Sequence, residues 1–456
     1  MIKDAIDCEN LSEEVLSPAV FELPDVVFRD YDIRGYAKTQ INSQFASRLG
    51  TTLATLFRNN GHTAVYMGRD CRLSSPALAE ALRTGLITAG TDVIDLGAVT
   101  TPALNFAVHC GDKSECGIMI TASHNPSEYN GFKIVVRNKV MAGETLQQIK
   151  SLMASDLTFI GQTGQVVTED IIPQYLQEIV DNCAVSQPFK IVVDAGNGAA
   201  GPLAISLFEQ LGCNLVPLFC EPDGSFPNHD PNPSDKRNLQ LLRETVKSVK
   251  ADLGLAFDGD GDRLVAVSGN GEIVWPDQLM MIFARDILLQ NPDSQIVFDI
   301  KSSNRLNRLV HQYSGESVLC KTGHAHIRRT VQHTGALLGG EFSGHIFFND
   351  RWYGFDDGLY AAVRLLEILC IQNPEKTKCQ QMSLDQIISE FEGSAHTPEL
   401  LIPVDESEKF GLMETLAANC KFKGGKIITI DGLRVEYPQG WGLIRASNTS
   451  AYLTMR

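Results

Sequence analysis

Short apolar runs alternate along this chain with longer stretches whose apolar positions recur at helical spacing. The runs stop at glycine, serine or aspartate, as buried strands do. Strands are predicted at 64–67, 93–96, 118–120, 190–194, 253–257 and 295–299, and helices at 41–57, 76–88 and 170–182. Strands and helices in alternation indicate mostly parallel sheets with helices on both faces.

A weak internal repeat accompanies this alternation. Three predicted strands end at Asp70, Asp194 and Asp299, and each leads into a loop with glycine or serine and then into a helix. The repeat predicts three similar mixed α/β domains, followed by a smaller C-terminal α+β domain. The predicted bounds are a loose tail at 1–24, α/β domains at 25–168, 169–270 and 271–382, and the α+β domain at 383–456.

Composition narrows the class of protein. A chain of 456 residues with 43% hydrophobic and 21% charged residues is typical of a soluble multidomain protein. A net charge of −16 argues against nucleic acid or an anionic membrane as a partner. Eleven scattered cysteines without a CxxC pair, and no apolar leader or membrane span, predict a cytoplasmic protein with reduced thiols. A monomer or weak dimer is expected.

The first candidate site lies where the apolar run at 118–120 ends in a polar turn that Pro126 tightens. Ser123 in this turn is small, hydroxylated and expected to be exposed, and His124 beside it can supply a proton or a positive charge. Such a serine can be phosphorylated or can attack. The alternative is a capped turn in which Ser123 and Asn125 bond only nearby backbone.

A second candidate site follows the apolar run at 253–257. Asp258, Asp260 and Asp262 alternate with glycines, so the backbone can turn tightly and the carboxylates can surround one hard cation, Mg²⁺ or Ca²⁺. An EF-hand is excluded because its sixth and twelfth positions hold Arg263 and Gly269. Arg263 could neutralise a phosphoryl group; an acidic turn without metal is the alternative.

Polar groups elsewhere could bind sugar or phosphate. Arg34 offers a planar fork that matches phosphate oxygens, although it could equally belong to a polar loop. If the segment after 338 is extended, Glu341, Ser343 and His345 share one face and Phe342 lies on the other. Arg445, Ser447, Asn448 and Thr449 form a donor-rich turn suited to phosphate, or alternatively a solvated hairpin.

A rival interpretation is dinucleotide binding. Gly196, Gly198 and Gly201 follow a strand and precede a helix, and Glu221 stands where a ribose carboxylate would be expected. This predicts an NAD-linked oxidoreductase. Pro202 directly after the third glycine, and the lack of a hydride-transfer constellation, argue against it.

Taken in order, four motifs resemble those of the α-D-phosphohexomutase family, and most closely its bacterial phosphomannomutase/phosphoglucomutase branch. They stand at 121–126, 258–263, 340–345 and 445–449, and the resemblance runs from residue 28 to the C-terminus. It implies four domains around a central cleft and a phosphoserine at Ser123. It also implies one Mg²⁺ per chain, held by Asp258, Asp260, Asp262 and Ser123.

The resemblance further implies roles for the remaining residues. His124, Arg263 and either Lys133 or His345 would serve phosphoryl and proton transfer. The expected substrate contacts are Tyr31, Arg34, Lys301, His324, Glu341, Ser343, Arg445, Ser447, Asn448 and Thr449.

The implied reaction interconverts hexose 1-phosphate and hexose 6-phosphate through a hexose 1,6-bisphosphate, with mannose and glucose as sugars. Phosphoglucosamine mutase is the alternative within the class. A non-catalytic sugar-phosphate binder that kept these loops is the alternative outside it.

Overall fold

The computed structural model describes residues 16–17, 23–157, 162–370, 382–391, 393, 395, 397, 399–405, 407–447 and 451–456. Within these residues, helices are too short or too polar to cross a bilayer. The chain forms two compact units, Met1–Val274 with Phe355–Leu384, and Trp275–Gly354 with Asp385–Arg456.

The first unit begins with a seven-stranded sheet of order β2-β6-β5-β3-β4-β9, with β7 paired to β6, and a separate β1–β8 pair. The strands are β1 Leu16–Ser17, β2 Ile33–Tyr36, β3 Ala64–Arg69, β4 Asp92–Ala98, β5 Cys116–Ile120, β6 Tyr129–Val136, β7 Lys139–Val140, β8 Asp156–Leu157 and β9 Val166–Thr168. The helices are α1 Ser43–Asn59, α2 Ser75–Thr88, α3 Thr101–Cys110 and α4 Glu144–Met153.

Helix starts in this domain follow local capping chemistry. Asn42 caps α1 by accepting a hydrogen bond from the amide of Phe45, and Thr100 caps α3 by accepting one from Ala103. Each cap satisfies an amide that the first helical turn leaves without a partner. The cap at Thr100 fixes the N-terminus of α3 beside Asp260, whose carbonyl accepts a hydrogen bond from the amide of Thr101 at 2.9 Å.

The second sheet of this unit has the order β11-β10-β12-β13-β14. Its strands are β10 Lys190–Asp194, β11 Asn214–Leu218, β12 Leu253–Phe257, β13 Leu264–Ser268 and β14 Ile273–Val274. The accompanying helices are α5 Ile172–Asn182, α6 Ala200–Gln210 and α7 Gln240–Val249.

The second unit holds a four-stranded sheet of order β16-β15-β17-β18 and a five-stranded sheet of order β19-β23-β22-β21-β20. Its helices are α8 Pro276–Gln290, α9 Asn304–Gln312, α10 His324–Thr334, α12 Leu384–Ser389 and α13 Lys409–Asn419; α11, Gly358–Leu369, belongs to the first unit. The strands are β15 Gln295–Asp299, β16 Glu316–Cys320, β17 Leu338–Gly340, β18 Ile346–Phe348, β19 Leu400–Pro403, β20 Lys426–Ile428, β21 Leu433–Tyr437, β22 Gly440–Ala446 and β23 Tyr452–Met455.

Three of the sheets share one topology. In each, a middle strand (β3, β10 or β15) has two parallel neighbours. The later of those neighbours (β5, β12 or β17) then pairs antiparallel with the strand that follows it. The middle strands are those that end at or just before Asp70, Asp194 and Asp299, so the predicted repeat is confirmed. The predicted fold class of three similar α/β domains and a C-terminal sheet domain is also confirmed, while the domain boundaries stay predictions.

Arg434 joins the two sheets of the second unit. It lies on β21 and is 1% exposed. Its guanidinium donates to the carbonyls of Ile300 and Ser302 and to Asn304 Oδ1, which follow β15. These bonds satisfy backbone carbonyls at the start of α9 and fix the C-terminal sheet against this part of the unit.

Candidate active site

Ser123 lies three residues beyond the end of β5, in a loop with an unusual backbone. Its φ is 50°, a left-handed conformation that serine rarely adopts. The amide of Ser123 donates to Thr121 Oγ1 at 2.8 Å. The side chain is 1% exposed, so the expectation of an exposed serine is wrong. A strand end and a polar turn indicate a loop, but they carry no information about what packs over it.

The hydroxyl of Ser123 points at the acidic loop. Ser123 Oγ donates to Asp258 Oδ2 at 2.7 Å and lies 3.2 Å from His124 Nδ1. The phosphoserine and metal loops predicted from separate motifs are therefore in direct contact.

The acidic loop holds three buried carboxylates. Asp258, Asp260 and Asp262 are each 0% exposed. One ligand oxygen from each lies within 4.8 Å of the others, close enough to share a cation. Lys133, on β6, places Nζ 2.7 Å from Asp260 Oδ2 and 2.5 Å from Asp262 Oδ2. A lysine on a strand of the first sheet thus neutralises part of the negative charge on a loop of the second sheet.

Burial and mutual repulsion set the protonation of this cluster. Burial raises the pKa of Asp258 well above its usual range, and neighbouring Asp262 and Asp260 raise it further. Burial alone would also raise the pKa of Asp260, but Lys133 and a hydrogen bond from Thr101 hold it below its usual value. Burial acts to lower the pKa of Lys133, and Asp260 and Asp262 outweigh it, so that pKa is raised.

The donor set fits a hard divalent cation. Among the described residues, the buried Asp260 Oδ1 has no hydrogen-bond partner, whereas Asp260 Oδ2 is bonded to Lys133 and, at 2.5 Å, to Thr101 Oγ1. Three carboxylates with only oxygen donors are the chemistry that Mg²⁺ and Ca²⁺ prefer. A cation here would also relieve the repulsion among the aspartates.

Two arginines border this cluster. The amide of Arg263 donates to Asp258 Oδ1 at 3.2 Å, and Arg263 Nε lies 3.5 Å from Asp258 Oδ2. Arg34, on β2, pairs with Asp32 and donates to Asn125 Oδ1 at 2.6 Å. Burial acts to lower the pKa of Arg34, but Asp32 and then Tyr31 raise it, so this guanidinium keeps its charge. Tyr31 lies in the bend just before β2.

In the second unit, the loop from Glu341 to His345 is a closed turn. The amide of Glu341 donates to the His345 carbonyl at 2.9 Å, and the amide of Gly344 donates to the Glu341 carbonyl at 3.0 Å. The condition for the shared face, an extended segment, is therefore not met. The turn forms because Gly344 takes a φ of 104° and because β17 must reverse to pair antiparallel with β18. Phe342 lies instead beneath a cation, with Arg456 Cζ 3.4 Å from its ring centroid.

Four further residues that were predicted to contact substrate lie in the same unit. His324 begins α10 and stacks on His345, with ring centroids 5.2 Å apart, and both are buried. Lys301 lies two residues beyond β15, and its Nζ is 2.7 Å from a carboxylate oxygen of Glu399. Glu341 is buried, while Ser343 is half-buried.

The predicted phosphate turn is only partly described. Arg445, at the end of β22, is 4% exposed and donates from Nε to Asp431 Oδ2 at 3.0 Å. Its buried Nη2 has no hydrogen-bond partner among the described residues, so it can receive an anion. Ser447 is buried and its amide donates to Tyr452. Asn448 and Thr449 lie outside the described residues.

The glycine-rich loop of the rival interpretation has a packing explanation. A Cβ on Gly198 would lie 2.8 Å from the backbone of Gly259 in the acidic loop, and one on Gly201 would lie 2.0 Å from the carbonyl of Cys220. The space that a pyrophosphate would need above Gly198 is filled by protein backbone. Gly198 thus allows the acidic loop to approach closely, and Gly201 allows the close approach of Cys220.

Sequence reasoning missed two residues at this site, Thr101 and Arg72. The signal for Thr101 was the sequence Thr100-Thr101-Pro102, which is typical of a helix start. Arg72 is buried and bonds the phosphoserine loop, but its partners lie 51 to 57 residues away, so no local pattern marks it.

Comparison with known proteins places these features in a family. Models of the phosphoglucomutase/phosphomannomutase α/β/α domains I, II and III match residues 25–158, 173–271 and 275–392. The chain is 45% identical over 434 residues to a phosphomannomutase/phosphoglucomutase of Pseudomonas aeruginosa, covering 95% of this chain and 92% of the relative. It is 43% identical over 436 residues to a phosphoglucomutase of Neisseria meningitidis, covering 94% and 92%.

A solved structure agrees in three dimensions. The crystal structure of a phosphoglucomutase/phosphomannomutase family protein from Burkholderia thailandensis superposes with a TM-score of 0.88 at 41% identity, covering 95% of this chain and 93% of that one. The three domain matches and the near full-length identity lead to one conclusion: the chain belongs to the phosphoglucomutase/phosphomannomutase family of α-D-phosphohexomutases.

Proposed function

We propose that this protein is a phosphomannomutase/phosphoglucomutase that interconverts the 1-phosphates and 6-phosphates of mannose and glucose. Its family makes it an isomerase that acts on hexose phosphates. The observation that carries this proposal is the buried Ser123 hydroxyl, which lies 2.7 Å from Asp258 Oδ2 in a cluster of three carboxylates. A serine so placed can carry a phosphoryl group against a metal-binding loop.

The reaction begins with phosphorylated Ser123. A hydroxyl oxygen of the hexose monophosphate attacks phosphorus, and its proton passes to His345, because Lys133 is already an ammonium paired with Asp260 and Asp262. The bond from phosphorus to Ser123 Oγ breaks, and Ser123 Oγ takes up a proton from the adjacent His124. The product is a hexose 1,6-bisphosphate, which reorients and returns its other phosphoryl group to Ser123. The enzyme regains its phosphoserine, and the sugar leaves with its phosphate on the other carbon. The bisphosphate therefore serves as both intermediate and activator.

Positive charge around Ser123 stabilises the phosphoryl group in transfer. Arg263 contacts Asp258, Lys133 contacts Asp260 and Asp262, and His124 lies beside the hydroxyl. Such groups, fixed before the reaction, stabilise charge without reorganising during it. Arg34, held by Asp32 and Asn125, adds a planar fork for phosphate oxygens.

The metal site accommodates one Mg²⁺ per chain. Asp258, Asp260 and Asp262 would hold it together with the group on Ser123. When bound, Mg²⁺ supplies charge neutralisation for the transferring phosphoryl group. The oxygen-only donors support this assignment, as does Asp260 Oδ1, which has no hydrogen-bond partner in the described part of the chain.

Residues of the second unit select the rest of the substrate. Glu341 and Ser343 present a carboxylate and a hydroxyl from one tight turn, which suits adjacent sugar hydroxyls. The phosphate that does not react is held by Arg445, Ser447, Asn448 and Thr449, and further contacts come from Tyr31, Lys301 and His324. The buried Nη2 of Arg445, which has no hydrogen-bond partner among the described residues, supports its role as an anion receptor.

Burial of Ser123 protects the phosphoenzyme. At 1% exposure, the phosphorylated oxygen is shielded from bulk water, which would otherwise hydrolyse it. Transfer to a bound sugar is favoured over loss to water for this reason.

Ser123→Ala tests the proposal, with Ser127→Ala in the same loop as the matched control. Intact mass and peptide mapping of the wild type should place one phosphate on Ser123. Conversion of glucose 1-phosphate, followed by a coupled assay, should fall by several orders of magnitude in Ser123→Ala and stay near wild type in Ser127→Ala. An active wild type without phosphate on Ser123, or comparable turnover in Ser123→Ala, would overturn the proposal.

A further inference from the structure

Arg72 lies in the loop after β3 and is 0% exposed. Its two terminal nitrogens bond four backbone carbonyls, three in the loop that carries Ser123 and one at the start of β6. Nη1 donates to Pro126 at 2.6 Å and to Tyr129 at 3.0 Å. Nη2 donates to Ser123 at 2.8 Å and to Asn125 at 2.6 Å.

The remaining donor of the Arg72 guanidinium, Nε, fixes the side chain to Asp70. Nε donates to Asp70 Oδ2 at 3.0 Å, and the other oxygen of Asp70 accepts from the Arg72 amide and the Ser75 hydroxyl. A guanidinium has five N–H donors in a fixed plane, and all five are used here. The ring of Phe226, from the second sheet domain of the same unit, lies 5.0 Å from Arg72 Cζ and covers it.

The bond to the Ser123 carbonyl acts on the strained residue itself. Ser123 holds a φ of 50°, which serine adopts only when its surroundings impose it. Arg72 bonds its carbonyl, and the acidic loop approaches the same atom, since a Cβ on Gly259 would lie 2.6 Å from it. The backbone of Ser123 is thus fixed between Arg72 and the acidic loop, with Oγ directed at Asp258.

We propose that Arg72 is a positioning residue for phosphoryl transfer: its guanidinium holds the phosphoserine loop in the conformation that presents Ser123 to the acidic loop. This inference rests on the proposed function, because it assigns a role in that reaction. The hydrogen bonds of Arg72 to this segment of the described chain all go to backbone carbonyls, so Arg72 acts on Ser123 Oγ through the backbone. Lysine has three donors around a point charge and cannot hold four carbonyls in one plane.

Arg72→Lys is the test, with Arg83→Lys as a matched change on α2 that pairs with Glu80 and Asp95 away from the loop. A misplaced Ser123 should lower kcat about 10- to 100-fold, whereas KM for glucose 1-phosphate should change less than about threefold. The decisive readout is inorganic phosphate released per molecule of product. This ratio does not depend on how much enzyme is folded, and it should rise in Arg72→Lys and stay at the wild-type value in Arg83→Lys.

A second variant decides the matter if Arg72→Lys fails to fold. Asp70→Asn keeps the shape of the anchor and weakens its bond to Nε, so a smaller rise in the same ratio is expected. A wild-type ratio and kcat in Arg72→Lys, or in Asp70→Asn when the lysine variant is unfolded, would overturn the role of Arg72. An inactive wild type, or one active without phosphate on Ser123, would instead overturn the proposed function.

Discussion

Asp260 makes the clearest case that the acidic loop serves a cation. One of its oxygens is bonded by Thr101 and Lys133, which fixes the carboxylate, and the other is buried without a partner among the described residues. A buried acceptor left in this way costs about 1–3 kcal/mol unless a ligand satisfies it. The other two aspartates of the loop lie close enough to share that ligand.

Asp260→Asn should therefore lose both metal and activity. The neutral amide keeps the volume of the side chain but weakens a hard-cation site. In the wild type, Mg²⁺ should raise Tm, because it binds the folded state, and Asp260→Asn should abolish that rise. We expect kcat to fall by about a hundredfold or more.

Asp112→Asn is the control for this change, since Asp112 is an exposed acid on the same unit. It should keep the Mg²⁺-dependent rise in Tm. Full activity of the wild type in excess EDTA would contradict the metal assignment at once.

At the level of elements, three functional loops occupy one topological position. The phosphoserine loop joins β5 to β6, the acidic loop joins β12 to β13, and the Glu341 turn joins β17 to β18. In each sheet this is the connection between the later parallel neighbour of the middle strand and the antiparallel strand that follows it. The repeated α/β topology thus places the proposed phosphoryl carrier, metal ligands and sugar contacts at equivalent loops.

The segment after β11 supports the acidic loop through His229. His229 Nε2 lies 3.3 Å from both oxygens of Asp194, and Nδ1 lies 2.7 Å from the Asp230 carbonyl. Two residues on, Pro231 approaches Gly259, with 3.2 Å from its Cγ to a Cβ built there. Burial acts to lower the pKa of His229, but the bond to Asp194 outweighs it and the pKa is raised.

His229→Gln should accordingly destabilise the protein in a pH-dependent way. A raised pKa means that the folded state favours protonated His229. Its stabilisation is present below the ordinary value of 6.5 and is lost as pH rises through the raised value. We expect a loss of order 1 kcal/mol near pH 6 and a smaller loss near pH 9, measured as Tm in both buffers.

His311→Gln, an exposed histidine on α9, provides the control and should show the same Tm difference at both pH values. An equal destabilisation by His229→Gln at both pH values would sink the ion-pair interpretation.

The sequence predicted the elements that depend on neighbouring residues, and it missed those that depend on residues far apart in the chain. Strands at 190–194, 253–257 and 295–299 were predicted to the residue, because buried strands are continuous apolar runs with sharp polar ends. The Glu341 turn could not be predicted, because the reversal into β18 is imposed by pairing across the sheet. Arg72 was missed for the same reason, since its contacts depend on the folded arrangement of loops far apart in the chain.

At the scale of the whole molecule, a net charge of −16 must coexist with anionic substrates. The structure meets this with buried cations rather than an overall positive surface: Lys133 is 8% exposed, Arg34 is 7% exposed and Arg445 is 4% exposed. Charges in a poorly solvated setting act strongly on a bound phosphate and are little screened by salt. An acidic chain can therefore still attract an anionic substrate at these positions.

At the scale of the whole enzyme, the question is which sugar phosphates it distinguishes. Glucose and mannose differ only in the orientation of the hydroxyl at C2. Glu341 and Ser343, the proposed sugar contacts, present one carboxylate and one hydroxyl from a single closed turn, which suits the two adjacent hydroxyls at C3 and C4 that both sugars share. A site discriminates strongly only when the wrong substrate leaves a buried polar group without its bond.

Glucose 1-phosphate and mannose 1-phosphate should therefore react with kcat/KM values within about a hundredfold of each other. Glucosamine 1-phosphate should react more slowly than either, and side-by-side kinetics of the wild type with the three sugars measures this directly. Glu341→Gln provides the matched variant: it should lower kcat/KM for glucose and mannose phosphates by similar factors, since the hydroxyls it is proposed to bind are common to both. A clear preference of the wild type for the glucosamine phosphate would reassign the enzyme to the phosphoglucosamine mutases. A loss confined to one sugar in Glu341→Gln would instead show that Glu341 distinguishes the two at C2.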